Sequence, residues 1–204
     1  MSFMKSKFLV VEGIDGSGTT TITKMLVEYI RGKGYDVVET MEPTTENVGK
    51  LIRDYFDGSE RNISSGAEAY LFSADRYDHV NKVIIPSLQH DKWVVSCRYL
   101  YSTYAYQGTA GNISLIRRLN EGFPKPEICI LLDNEPSESL NRLQERESAT
   151  IVENVDTLVG VHARYRNLVN TTGFHEVVLI NSGQPIEKVF EDVLSALRER
   201  NIIA

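Results

Sequence analysis

A chain of 204 residues, 42% hydrophobic and 25% charged, suits one folded domain with a small mobile insertion. Its formal charge of -6 excludes a general nucleic-acid binder, since phosphate backbones require a basic surface, but leaves room for a nucleotide pocket with clustered arginines. The two cysteines, Cys97 and Cys129, make neither a disulfide framework nor a zinc site.

Met1 to Lys7 has no long apolar stretch, so no signal peptide is expected. No segment approaches the ~20 apolar residues of a membrane helix, and the expected location is the cytoplasm. Phe8–Val11 reads as a buried strand, followed by a helix over Thr20–Lys33 with Ile22, Met25, Leu26, Tyr29 and Ile30 at helical spacing. A strand at Asp36–Thr40 leads to a helix at Val48–Phe56, a surface loop at Gly58–Gly66 and a long helix at Ala67–His90. Then come a strand at Trp93–Ser96, a helix at Ser114–Glu121 and a strand at Ile128–Leu132, in which Cys129 is core. Helices at Ser137–Glu145 and Val155–Asn170, a strand at Glu176–Ile180 and a helix at Ile186–Arg200 complete the series.

Helices between strands imply crossover connections, so the expected architecture is α/β, a five-stranded parallel sheet with helices on both faces. Ligands of such sheets bind outside the carboxyl ends of the strands. That rule gathers Gly13–Thr20, Met41–Thr45, Cys97–Arg98 and Asp133. Residues 1–204 read as one domain, with a short lid at about 143–154 where an arginine and three glutamates, just after Arg142, interrupt the apolar pattern.

The segment from Phe8 to Thr21 carries the chemistry. Gly13 and Gly18 match the phosphate-loop pattern G-x-x-x-x-G-K-[ST], with Thr20 at the magnesium-side hydroxyl and Thr19 at the lysine position. Gly13, Asp15, Gly16, Ser17, Gly18, Thr19, Thr20 and Thr21 are the expected ATP phosphate cradle. Glycines let successive N–H groups turn inward on an anion, and the following helix adds its N-terminal partial charge. The alternative is a glycine-rich strand-to-helix turn with no ligand.

Val11-Glu-Gly-Ile-Asp-Gly16, Glu42-Pro43-Thr44, Leu71-Phe-Ser-Ala-Asp-Arg-Tyr-Asp-His-Val80, Cys97-Arg-Tyr-Leu-Tyr-Ser-Thr-Tyr-Ala-Tyr-Gln-Gly108 and Leu131-Leu-Asp133 stand in this order along nearly the whole chain. Together they resemble the thymidylate kinase family. The resemblance implies a P-loop nucleoside-monophosphate kinase fold and transfer of the ATP γ-phosphoryl group to dTMP with Mg2+, giving dTDP and ADP. It also implies a homodimer.

Carried over residue by residue, the resemblance implies a dTMP site of Asp15, Glu42, Phe72, Arg76, Arg98, Ser102, Thr103, Tyr106 and Gln107. Phe72 would stack on the thymine, or else be helix core; Arg76, one turn on, would reach the base O4. Asp15 would accept from the 3′-hydroxyl, or else bond its own loop. Arg98 would bridge the acceptor phosphate and the γ-phosphoryl, a task suited to a permanently charged fork. Ser102, Thr103 and Gln107 would bond near the base, with Tyr106 against the sugar. Asp75 reads as a structural partner of a neighbouring helix and His79 as a surface or packing histidine. Tyr99, Tyr101 and Tyr104 are open between packing and binding.

The chain departs from the family pattern at Thr19, where the lysine belongs, at Cys97, where an aspartate usually stands, and at Met41, where an arginine commonly precedes Glu-Pro. In the lid Arg142 and Arg146 are present, and a later arginine is replaced around Thr150-Ile151, leaving Glu153. Arg142 and Arg146, with Arg98, are therefore the expected catalytic cations, Arg146→Ala being more damaging than Thr19→Ala. Two alternatives to a dTMP kinase are a catalytically impaired nucleotide-binding paralogue with a regulatory role and a kinase for another pyrimidine deoxynucleoside monophosphate.

Overall fold

The computed structural model describes residues 6–58, 62–109, 111–145, 155–170 and 173–203. Five strands form one sheet: β1 (Phe8–Gly13), β2 (Val37–Met41), β3 (Trp93–Cys97), β4 (Ile128–Asp133) and β5 (Val177–Asn181). Their order is β2-β3-β1-β4-β5, and every pairing is parallel. The sequence reading locates each strand to within a residue or two, because a strand covered on both faces must be apolar along its whole length.

Alternate residues of β1 serve two cores. Phe8 and Val10 pack with Tyr99, Tyr101, Tyr165 and Leu158 on one face. Leu9 and Val11 pack on the other, against Ile22 and Leu26 of α1 (Thr19–Gly32) and Val193 and Leu197 of α9 (Ile186–Glu199). Leu9, Val10 and Val11 are wholly buried, each contributing about 1.5–3 kcal/mol of burial. The strand that carries the phosphate loop is thereby buried along its whole length. Its charged residue, Glu12, is equally buried.

Helix α2 (Asn47–Asp57) follows β2, and α3 (Ser65–His79) continues through a wide turn, Val80–Ile84, into α4 (Ile85–Gln89). The expected helix Ala67–His90 is thus continuous in direction but not uniform in pitch. Pro86 has no N–H to donate, and just before it Ile85 donates to Val80, five residues back. Helices α6 (Ile113–Leu119), α7 (Pro136–Glu145) and α8 (Val155–Val169) lie where expected.

One helix was not expected: α5 (Leu100–Tyr106). Five of its seven residues are buried, Leu100, Tyr101, Thr103, Tyr104 and Ala105, so it shows no amphipathic stripe for a period to reveal. Among the described residues no helix is long and apolar enough to cross a membrane. Of the expected lid, residues 146–154 lie outside the described residues, and Arg146 with them.

Candidate active site

The carboxyl ends of β1, β3 and β4 meet in register. Val11 pairs with Cys97 and Gly13 with Leu132. The loop from Gly13 to Gly18 leaves β1 there and enters α1. A Cβ on Gly13 would stand 2.4 Å from Ser17 Oγ and 2.9 Å from the Leu132 carbonyl. Gly16 has φ +81°, and a Cβ there would lie 2.3 Å from the Ser139 carbonyl at the start of α7. The loop is therefore pressed between its own hydroxyl and the next strand-to-helix junction.

The cradle leaves donors unclaimed. No side chain caps the first turn of α1, and no acidic residue lies in it, so its N–H groups are available to an anion. Ser17 Oγ is buried without a partner among the described residues. Thr19 is buried and Thr20 exposed, and neither brings a cation. Lys24 is exposed on α1, and Lys7 precedes β1 at its opposite end.

Beneath the loop Glu12 accepts four hydrogen bonds. Oε1 takes the N–H groups of Tyr99 at 2.8 Å and Ser102 at 3.2 Å; Oε2 takes the hydroxyls of Ser102 at 2.7 Å and Tyr165 at 2.8 Å. Burial pushes its carboxyl above the ordinary value of 4.5, opposed by the Arg98 charge and the donated bonds. Glu12 thereby ties β1 to the start of α5 and to α8. The one acid in an otherwise apolar run was its signal in the sequence.

Arg98 turns the chain from β3 into α5 with φ +69°. Its N–H donates to the Val11 carbonyl at 2.8 Å, and its own carbonyl accepts from Ser96 Oγ at 2.7 Å. The guanidinium donates to Asp15 Oδ1 at 2.6 Å and lies 5.1 Å from the Tyr106 ring centre. The Tyr106 hydroxyl donates to Asp15 Oδ2 at 2.6 Å. Burial works against the Arg98 charge, but the facing Tyr106, Asp15, Tyr165 and Glu12 groups hold it protonated well above the usual guanidinium range. Asp15 is thus joined to α5 and the β3 end, beyond its own loop.

This cluster forms one side of a cavity of about 260 Å3 whose walls include Asp15, Glu42, Phe72, Arg76, Arg98, Ser102, Tyr106 and Gln107. Eight of the nine residues expected at the dTMP site therefore come together. The ninth, Thr103, is fully buried one layer back, where its hydroxyl accepts from Arg76 Nη2 at 3.1 Å. Phe72 lies 5.7 Å from the ring of Phe56. Gln107 donates to Glu68 at 3.4 Å. Arg76, 1% exposed, donates from Nε to Glu42 Oε2 at 2.9 Å and from Nη1 to Asn120 at 2.5 Å.

Several wall residues were missed. Arg53 and Phe56 of α2 line the cavity, as do Thr157 and Leu158 of α8. Arg53 donates to the Pro43 carbonyl at 2.7 Å. Its signal was a cation one residue from the buried Ile52, on the helix that follows Glu42-Pro43. One expectation is corrected. Asp75 serves the β2–α2 loop rather than a helix, accepting from the Thr44 N–H and hydroxyl at 2.8 and 2.6 Å. Of the two readings of His79, packing holds: it is buried and contacts Glu42. His162 is paired, donating to Asp133 at 2.6 Å. Tyr101 and Tyr104 are buried packing residues, whereas Tyr99 also borders the cavity. Arg142 donates to the Ser182 carbonyl at 3.2 Å and is not part of the cavity wall.

Among the described residues no three His, Cys, Asp or Glu groups converge as a metal site. A magnesium ion carried by nucleotide phosphates keeps several waters and needs only one or two protein oxygens. The exposed hydroxyl of Thr20 at the start of α1 is such an oxygen.

A glycine-rich loop with no side-chain cap on the helix behind it thus opens onto an arginine-lined cavity. The model of the thymidylate kinase family matches residues 11–193. A probable thymidylate kinase of Pyrococcus horikoshii is 39% identical over 204 residues, covering 96% of this chain and 97% of its own. One from Pyrococcus abyssi is 39% identical over 203 residues, with 96% and 97% covered. A thymidylate kinase of Desulfotalea psychrophila is 33% identical over 209 residues, covering 98% of each chain. With this cradle, this pocket and matches that run nearly end to end, the chain belongs to the thymidylate kinase family.

Proposed function

We propose that the chain, acting as one catalytic domain, transfers the γ-phosphoryl group of ATP to dTMP, forming dTDP and ADP. The observation that carries this reading is the joining of Arg76, Phe72 and the Arg98–Asp15–Tyr106 cluster around one cavity that begins at the phosphate loop. The attacking atom is already a phosphate oxygen, so no strong base is required; positioning and charge neutralisation do the catalysis. Arg76 offers only donors, which suits the 4-oxygen of thymine and not the 4-amino group of cytosine. Phe72 offers a face for stacking, and Tyr106 packs against the sugar.

Arg98 bridges the acceptor phosphate and the transferring group with two donors at fixed spacing. To do so it exchanges its contact with Asp15 for phosphate oxygens, and Asp15 accepts from the 3′-hydroxyl. Gly13 to Thr21 hold the ATP phosphates through backbone N–H groups. Magnesium bound to those phosphates supplies further charge neutralisation, with Thr20 as the residue that would hold it. The missing lysine is replaced by the lid cations Arg142 and Arg146.

We also place the enzyme in the cytoplasm as a homodimer joined across α3. Tyr70 and Tyr77, seven residues apart on that helix, are 57% and 64% exposed, which supports this reading. Coupled ADP-release assays with ATP, magnesium and dTMP, beside dUMP, dCMP and dGMP, test the activity. Turnover above ~1 per second that is highest with dTMP is expected. Tight dTMP binding without turnover would overturn it in favour of the impaired paralogue.

A further inference from the structure

Behind the pocket wall a row of buried side chains runs from the exposed edge of the sheet to Arg76. Thr40 Oγ1 on β2 lies 2.6 Å from His79 Nε2, and His79 Nδ1 lies 2.9 Å from Glu42 Oε1. The other carboxylate oxygen of Glu42 takes Arg76 Nε at 2.9 Å and Nη2 at 2.7 Å. His79, Glu42 and Arg76 are 2%, 5% and 1% exposed. Water therefore does not compete for these bonds.

The donors converge on Glu42. A carboxylate only accepts, so His79 carries a proton on Nδ1 toward Glu42, while Nε2 is held by the Thr40 hydroxyl. Arg76 has five N–H groups. Nε donates to Glu42, Nη2 to Thr103 and Nη1 to Asn120, with Nη2 also in ion-pair contact with Glu42. Among the described residues no hydrogen bond uses the second Nη1 hydrogen, on a guanidinium that borders the cavity. A fork held at all three nitrogens reads the acceptor opposite it more sharply than a mobile one, because its N–H groups cannot swing to compensate.

We infer that His79 is a positioning residue for base recognition. It fixes Glu42, which fixes Arg76, so that the second Nη1–H is held where the 4-oxygen of thymine arrives. The inference rests on the dTMP-kinase reading for the identity of that base. His79 is itself not part of the nucleotide cavity wall; with Thr40 it borders a separate cavity of about 200 Å3 on the other side. Discrimination between thymine and cytosine thus depends on a residue that touches neither base.

The test uses the full chain with His79→Ala, His79→Asn and Thr40→Val, measuring kcat and KM for dTMP and dCMP. In His79→Ala the KM for dTMP should rise about tenfold and the dTMP-to-dCMP ratio of kcat/KM should fall by a similar factor, with kcat within about twofold. Asparagine places an amide donor near the Nδ1 position, so His79→Asn should recover the ratio to within about threefold of wild type. A ratio unmoved by His79→Ala, or an asparagine variant no better than the alanine one, overturns the inference. If His79→Ala does not fold, Thr40→Val decides. It keeps the imidazole and removes only the hydroxyl that orients it, and an unchanged ratio there also overturns the relay. A wild type that binds dTMP without turnover refutes the kinase reading alone, and dissociation constants of the same variants for dTMP and dCMP then test the relay. A wild type with no preference between the two bases overturns the relay itself.

Discussion

The two halves of the site are built in opposite ways. On the base side, Glu42, Arg76, His79, Thr103 and Asn120 are buried polar side chains that satisfy one another. On the phosphate side, backbone does the work: glycines that admit no Cβ, an uncapped helix start and Thr19 in place of a lysine. A buried side-chain network is intolerant, because each missing partner leaves a charge stranded in low dielectric. A backbone cradle keeps its N–H groups whatever side chain follows, so a lost cation lowers its strength without removing the site. That difference accounts for a base pocket that keeps the family's residues beside a phosphate loop that departs from them.

The sharpest way to break the contrast is Glu42→Ala. It strands Arg76 and should cost about 3–5 kcal/mol of stability, read by denaturant unfolding; a loss under about 1 kcal/mol would mean the network is not tightly coupled. Next is Arg98→Ala, on the border between the halves. Turnover should fall about 10²–10³-fold, with dTMP binding measured by calorimetry reduced much less.

A gain of function probes the phosphate side. Thr19→Lys restores a cation beside an intact cradle and should raise kcat about tenfold, below the hundredfold typical of a single such contact, if the lid arginines act there as proposed. No gain would show that the cradle, not the charge, limits turnover.

The smallest effect concerns pH. Glu12 has a folded carboxyl raised above its ordinary 4.5, chiefly by burial. The folded state therefore holds this proton more tightly than the unfolded chain. Its contribution to stability is full below pH 4.5 and is lost as pH rises through the raised folded value. Glu12→Gln removes that titration, so the stability of the variant should fall less than that of wild type over this window in a pH series of thermal unfolding. Parallel curves would mean that Glu12 stays ionised in the fold.

Much of this molecule was readable before it was folded. The strands stand out because parallel strands covered on both faces leave uninterrupted apolar runs, and the sharp turn at the end of β1 needs glycines at set positions. Helix α5 was hidden by the same physics, since burial on nearly every side erases the period that betrays a helix. Asp15 and Phe72 were legible as site residues through their motifs, but not the hold of Arg98 and Tyr106 on Asp15. Thr103 was named for the base, yet its hydroxyl serves Arg76. Arg53 went unnoticed because one arginine on an amphipathic helix looks like any solvated cation.

Order along the chain was enough to establish the alternation of strands and helices, the phosphate cradle and the family. Those features are local: a strand, a turn and a helix start require only neighbours in sequence. Which polar group satisfies which belongs to the tertiary structure alone. Thr40, Glu42, His79, Thr103 and Asn120 come from β2 and the segment after it, α3, α5 and the end of α6, and only the packing of those elements brings their hydrogen-bonding atoms within about 3 Å of each other or of Arg76. Hydrogen bonds of that length fail within an ångström or so of displacement. No pattern in a linear sequence carries that precision.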